Sequence, residues 1–71
     1  MHRFLVVVEK AGTNYSAFAP DLPGCVATGG TPEETRRNMQ EAIELHLQGL
    51  REDKLPIPVP SSFAEIVEVA S

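Results

Sequence analysis

Residues 31–34 read Thr-Pro-Glu-Glu, the best local signal in the chain. Thr31 is suited to cap a helix, Pro32 to its first position, and Glu34 stands three residues after the cap. Glu33 and Glu34 face the positive end of the helix dipole. The helix is predicted to run to about Asp53. Met39, Ala42, Ile43, Leu47 and Leu50 recur at intervals of three and four, as one buried stripe requires. Glu33 and Arg37 form a favourable i, i+4 pair on the solvent side.

Upstream of the helix, the spacing changes to that of strands. Arg3–Glu9 (RFLVVVE) is β-branched and apolar on both faces, which predicts a central strand covered on both sides. Three consecutive valines disfavour a helix there. Lys10–Asn14 (KAGTN) is a turn, with Gly12 and Asn14 suited to positive φ. Tyr15–Ala19 (YSAFA) then reads as a second strand, antiparallel to the first. Pro20–Gly24 (PDLPG) is a rigid loop. Cys25–Gly30 (CVATGG) is a short third strand whose glycine pair frees the backbone to reverse.

Downstream, Leu55–Ser62 (LPIPVPSS) carries prolines at alternate positions and must be extended. Phe63–Ala70 (FAEIVEVA) reads as a fourth strand. The predicted fold is α+β, with the order β-β-β-α-β in one domain over residues 1–71. It is a three-stranded antiparallel meander plus a fourth strand parallel to the first, reached by a right-handed crossover. One helix covers one face of this sheet. The other face keeps apolar residues, so a homo-oligomer, dimer or tetramer, is expected.

The 71 residues hold six Lys plus Arg and ten Asp plus Glu, a net charge of −4. That balance argues against binding a phosphate backbone through general charge and leaves a basic protein partner open. No apolar run is long enough to span a membrane, and no secretory signal is recognisable. One cysteine, Cys25, forms no internal disulfide, which points to a cytoplasmic protein. No His or Cys cluster has zinc spacing and no glycine-rich loop has phosphate-cradle form, so no cofactor or metal is expected. So short a chain buries only about 60% of its unfolded surface, a further reason to expect assembly.

The segment Tyr15-Ser16-Ala17-Phe18-Ala19-Pro20-Asp21-Leu22-Pro23-Gly24-Cys25 resembles the signature of the HicB family. There an aromatic residue and a Pro-Asp-Leu-Pro-Gly-Cys loop precede a Gly-Thr-x-Glu-Glu helix start, here Gly30-Thr31-Pro32-Glu33-Glu34. Asn38, Glu41-Ala42-Ile43 and Leu45-His46-Leu47 match the family's helix, and Leu55-Pro56-Ile57-Pro58 its exit. The resemblance covers about residues 3–69. It implies a partial RNase H-like (HicB-like) fold and an antitoxin of a type II toxin–antitoxin system. The partner so implied is a HicA-type mRNA interferase, a small basic ribonuclease that the antitoxin occludes. Family members usually carry a DNA-binding domain after this one; the sequence stops after the last strand, so no direct DNA binding is expected of this chain.

The candidate contact residues are Tyr15, Asp21, Leu22, Pro23, Glu41 and Glu44. Tyr15 is read either as an interface hydroxyl or as a strand packing residue. Asp21 either meets a basic partner or accepts backbone hydrogen bonds that shape its turn. Leu22 and Pro23 serve loop geometry and packing, with Leu22 also a candidate apolar anchor. Glu41 and Glu44, with Glu52 and Asp53, either steer a basic partner or form a solvated helix face. Cys25 reads as a small buried hydrophobe. His46 falls near the middle of the apolar stripe, as a core histidine or a pH-sensitive packing element.

Two other functions are open at this stage. A vestigial RNase H-like metal-dependent nuclease needs several converging carboxylates. Leu5–Val8 holds no acid, Glu9 lies at the strand end, and capping explains Glu33 and Glu34, so no enzymatic role is expected. A stand-alone oligomeric binding module without a toxin partner is the other.

Overall fold

A computed structural model describes residues 2–71. Its elements are β1 (Val7–Ala11), β2 (Asn14–Phe18), β3 (Val26–Gly29) and α1 (Pro32–Glu52). The sheet order is β1-β2-β3, antiparallel throughout. The α+β class, the meander and the helix therefore stand as the sequence indicates.

β1 begins four residues later than Arg3. Val7 pairs with Phe18, the last residue of β2, and the chain then turns away through Pro20–Gly24. Arg3–Val6 consequently run past the end of their partner and have no ladder to join. β1 is also an edge strand in this chain, with β2 at the centre. The β1–β2 connection is the two-residue loop Gly12-Thr13. Gly12 alone takes positive φ (65°), as a type II′ hairpin requires; Asn14 instead opens β2.

Register places Val8, Ala17 and Ala27 in one cross-strand row. That row faces α1, where Ala17, Ala19, Leu22, Cys25, Met39 and Leu47 make up the core. Small residues in the row let the helix sit close. The alternate row, Val7, Phe18 and Val26, lies on the opposite face, and Val26 is 63% exposed. The apolar outer face expected from the sequence is present.

α1 packs mainly on β3 and β2 and touches β1 lightly. Gly29 sets the closest approach. A Cβ built there would lie 2.6 Å from Thr35 Oγ1 and 2.7 Å from Thr35 N. Neither Gly29 nor Gly30 has positive φ, so the glycine pair serves a close contact rather than a reversal of the backbone. Thr35 is fully buried, and its hydroxyl donates to the Thr31 carbonyl at 2.7 Å.

The helix start follows the sequence reading. The amide of Glu34 donates to Thr31 Oγ1 at 3.1 Å, and the Glu34 carboxylate accepts from the amide of Gly30 at 2.7 Å. Asn38 Nδ2 donates to the Thr28 carbonyl at 2.8 Å, tying the helix to β3. At the other end Asp53 is the cap and Lys54 takes a left-handed conformation (φ 57°). The amide of Leu55 donates to the Leu50 carbonyl and that of Lys54 to the Arg51 carbonyl, a Schellman closure.

The fourth strand is the main departure. Residues 55–71 form no regular structure in the single chain. Phe63, Ile66, Val67 and Val69 are 76–95% exposed. The three prolines hold the lead-in extended, and residues 65–70 stand clear of the β1 edge that they would join. The chain extends 49 Å along its longest axis against 27 and 19 Å across.

Candidate partner-binding surfaces

A groove runs between the unpaired edge of the sheet and the helix. Phe4, Val6 and Val8 form its strand-side wall, and Ile43 and Leu47 its helix-side wall. Arg36, Gln40 and Glu44 border it, all exposed. Its volume is about 680 Å³. α1 packs mainly on β3 and β2, and the groove opens on its β1 side.

The loop between β2 and β3 is locked by its own backbone. The amide of Leu22 donates to the Ala19 carbonyl and that of Cys25 to the Leu22 carbonyl, at 3.0 and 3.1 Å. Gly24 supplies the positive φ (83°) that the turn needs. This geometry drives the Leu22 side chain into the core at 0% exposure. Leu22 is therefore a packing residue in this chain, and its role as an interface anchor is corrected: its side chain lies out of a partner's reach. Pro23 remains exposed.

Asp21 is committed as well. Its carboxylate accepts from the amides of Ser61 and Ser62, both at 3.0 Å, and from their hydroxyls at 3.1 and 2.8 Å. These bonds hold its carboxyl below the ordinary carboxylate range, the amide of Ser62 contributing most. The acid does accept backbone hydrogen bonds, but from residues forty positions later rather than from its own turn. It clamps the proline-rich segment to the β2–β3 loop.

The remaining residues lie apart. Tyr15 is half-buried at the hairpin end of β2, opposite Lys10 and Gly29. Glu41 and Glu44 are exposed on the outer side of α1, near Leu45, which is 68% exposed. Among the described residues no hydrogen bond links Tyr15, the Asp21 loop and the helix acids. Glu44 alone of the six borders the groove, where it accepts from Gln40 at 3.4 Å. Cys25 is buried, and that burial pushes its thiol up. His46 is half-buried on the flank of the stripe. No group of three or more His, Cys, Asp or Glu converges among the described residues. Among those residues, too, no helix is long and apolar enough to cross a membrane.

Sequence reasoning missed two features, the groove and the Asp21–Ser61/Ser62 clamp. The clamp did leave a signal. Ser61 and Ser62 end a proline run, so their amides enter no ladder and are free to meet a carboxylate.

The fold and these surfaces define a small α+β domain, with an apolar groove at an open sheet edge and exposed acids on the helix beside it. Comparison with known proteins gives the class its family. Residues 4–70 match the sequence model of the HicB-like antitoxin of bacterial toxin–antitoxin systems, and the chain belongs to that family. It is 51% identical over 49 residues to a UPF0150 protein of Helicobacter pylori, covering 69% of this chain and 68% of that one. It is 39% identical over 59 residues to a UPF0150 protein of Synechocystis sp., covering 82% and 75%. A 14.9 kDa protein from the rep–hol intergenic region of Haemophilus phage HP1 is 38% identical over 62 residues. That alignment takes in 87% of this chain but only 47% of the phage protein. No solved structure gave a significant match.

Proposed function

We propose that this chain is a non-enzymatic antitoxin that binds a small basic HicA-type mRNA interferase and occludes its RNA-binding surface. The observation that carries this reading is the family match over residues 4–70. The physical chemistry of the surface supports it. Glu41 and Glu44 stand exposed on α1, in a chain of net charge −4. An acidic face of this kind accelerates encounter with a basic partner. Leu45 supplies an apolar contact among those charges. Tyr15 and Pro23 are further proposed contacts; Asp21 acts by holding residues 61–62 in place.

In this reading the protein works in the cytoplasm as a homo-oligomer. Residues 63–70 complete the sheet on assembly as the fourth strand, parallel to β1, giving the RNase H-like order. The outer row of Val7, Phe18 and Val26 favours assembly, because exposed apolar surface is costly in water.

The test is inhibition of RNA cleavage by a HicA-type toxin on titration with this chain. Stoichiometric loss of cleavage is expected, with an association rate that falls as salt rises. Reversing charge with Glu41→Lys and Glu44→Lys should slow association further. Undiminished cleavage at excess antitoxin would contradict the proposal.

A further inference from the structure

We propose that residues 63–70 cross to a second copy of this chain, pair with the open edge of its β1, and fill the groove beneath its α1. This deepens the homo-oligomer reading above and does not depend on a toxin.

The donor is an unpartnered segment with a strand-like sequence. Its sequence, Phe-Ala-Glu-Ile-Val-Glu-Val-Ala, is β-branched and apolar, and Ile66 is 95% exposed. In an extended chain Phe63, Glu65, Val67 and Val69 share one side, with Ala64, Ile66, Glu68 and Ala70 on the other. The first side carries the bulk that an apolar groove takes. The second sets Ile66 beside the outer row of Val7, Phe18 and Val26.

The acceptor is equally unpartnered. One side of β1 pairs with β2, and the other side pairs with nothing among the described residues. Phe4, Val6 and Val8 line the groove along that edge, and Val8 is 39% exposed. An open edge beside an apolar groove is a template for one more strand.

Three observations point to a second copy as the occupant. One chain carries both halves of the contact, so a two-fold exchange satisfies donor and acceptor in both copies at once. The Asp21 clamp fixes the chain at Ser61 and Ser62, and Ser62, Phe63 and Ala64 border a shallow depression together with Arg3, Phe4 and Leu5. Residues 65–70 nevertheless leave that edge and stand in solvent. Pro56, Pro58 and Pro60 stiffen the lead-in, which runs along the domain to the Asp21 clamp, so residues 65–70 leave from a fixed anchor. Eight extended residues reach about 26 Å, enough to run the length of β1 in a neighbour.

The experiment uses the full chain in two arms. Light scattering gives the mass, and NMR of a mixture of ¹³C-labelled and unlabelled chains detects contacts between copies. The expected results are a dimer, intermolecular contacts between residues 63–70 and β1, and a monomer mass for Val67→Pro with helical dichroism unchanged. Val69→Glu, at a position 80% exposed in the single chain, provides a second variant if Val67→Pro loses its helix. A dimer that survives both substitutions and shows no such contacts overturns the exchange while leaving assembly standing. A monomer whose residues 63–70 contact only their own β1 overturns both.

Discussion

Gly29→Ala is the substitution that most sharply probes how the helix seats on the sheet. The added methyl would lie 2.6 Å from Thr35 Oγ1, 2.7 Å from Thr35 N and 3.0 Å from Thr35 Cα. Relaxed contacts of this kind lie at about 3.5 Å or more, so α1 must retreat by roughly 0.5–1 Å. Thr35 cannot rotate aside without cost, because it is fully buried and its hydroxyl bonds the Thr31 carbonyl. Nor does moving the hydroxyl relieve the backbone nitrogen. Overpacking of this type costs about 1–3 kcal/mol. A chain of 71 residues has a total stability of roughly 4–10 kcal/mol, so the loss is a large share. Gly30→Ala is the internal control. Its methyl would meet nothing nearer than Glu34 Oε1 at 3.7 Å, and neither glycine has positive φ. It should be neutral, or stabilising by up to about 1 kcal/mol through the unfolded chain. Urea unfolding followed by helical dichroism, at one fixed protein concentration, reads both variants. A Gly29→Ala protein as stable as Gly30→Ala would refute the packing argument.

Leu22→Ala empties a fully buried site and should cost about 2–5 kcal/mol in the same assay, whereas Pro23→Ala beside it should cost far less. Lys54→Gly removes a left-handed residue with a Cβ from the Schellman closure and should stabilise by about 1 kcal/mol, seen as a higher urea midpoint. The Asp21 clamp has a defined pH window. Its carboxyl lies below the ordinary 3.8 when folded, so the clamp is complete above that value and is lost as pH falls through the lowered one. Hydrogen exchange at the Ser61 and Ser62 amides should report this release, and Asp21→Ala should abolish their protection at every pH. Cys25 is buried with its thiol pushed up, so a thiol reagent should modify it only after unfolding.

The parts of the fold that local chemistry dictates are legible in the residues. Thr31, Pro32 and Glu34 specify a helix start by their own hydrogen-bonding capacity, and the stripe from Met39 to Leu50 specifies its buried side. The meander follows from short β-branched runs broken at Gly12 and at Pro20–Gly24. The features that escape depend on contacts distant in sequence. Leu5–Val8 is apolar on both faces and so reads as part of a central strand, but centrality depends on whether residues 63–70 pair beside it. In the single chain they do not. The role of Asp21 is half legible: its acceptor chemistry is evident, while donors forty residues away are not. Leu22 reads either as a packing residue or as an apolar anchor for a partner, and the tight 19–25 turn, which points it inward, decides for packing. Gly29 and Gly30 look alike in the sequence and differ only in what stands opposite each.

The function proposed for this chain is to bind a toxin through its surface. Its most direct test is a cleavage assay with a HicA-type ribonuclease, fixed labelled RNA and increasing amounts of the full chain. Cleavage falling to zero at a defined molar ratio, with the two proteins co-eluting as one complex, is the predicted result. Separate elution and full cleavage at a tenfold excess would contradict it.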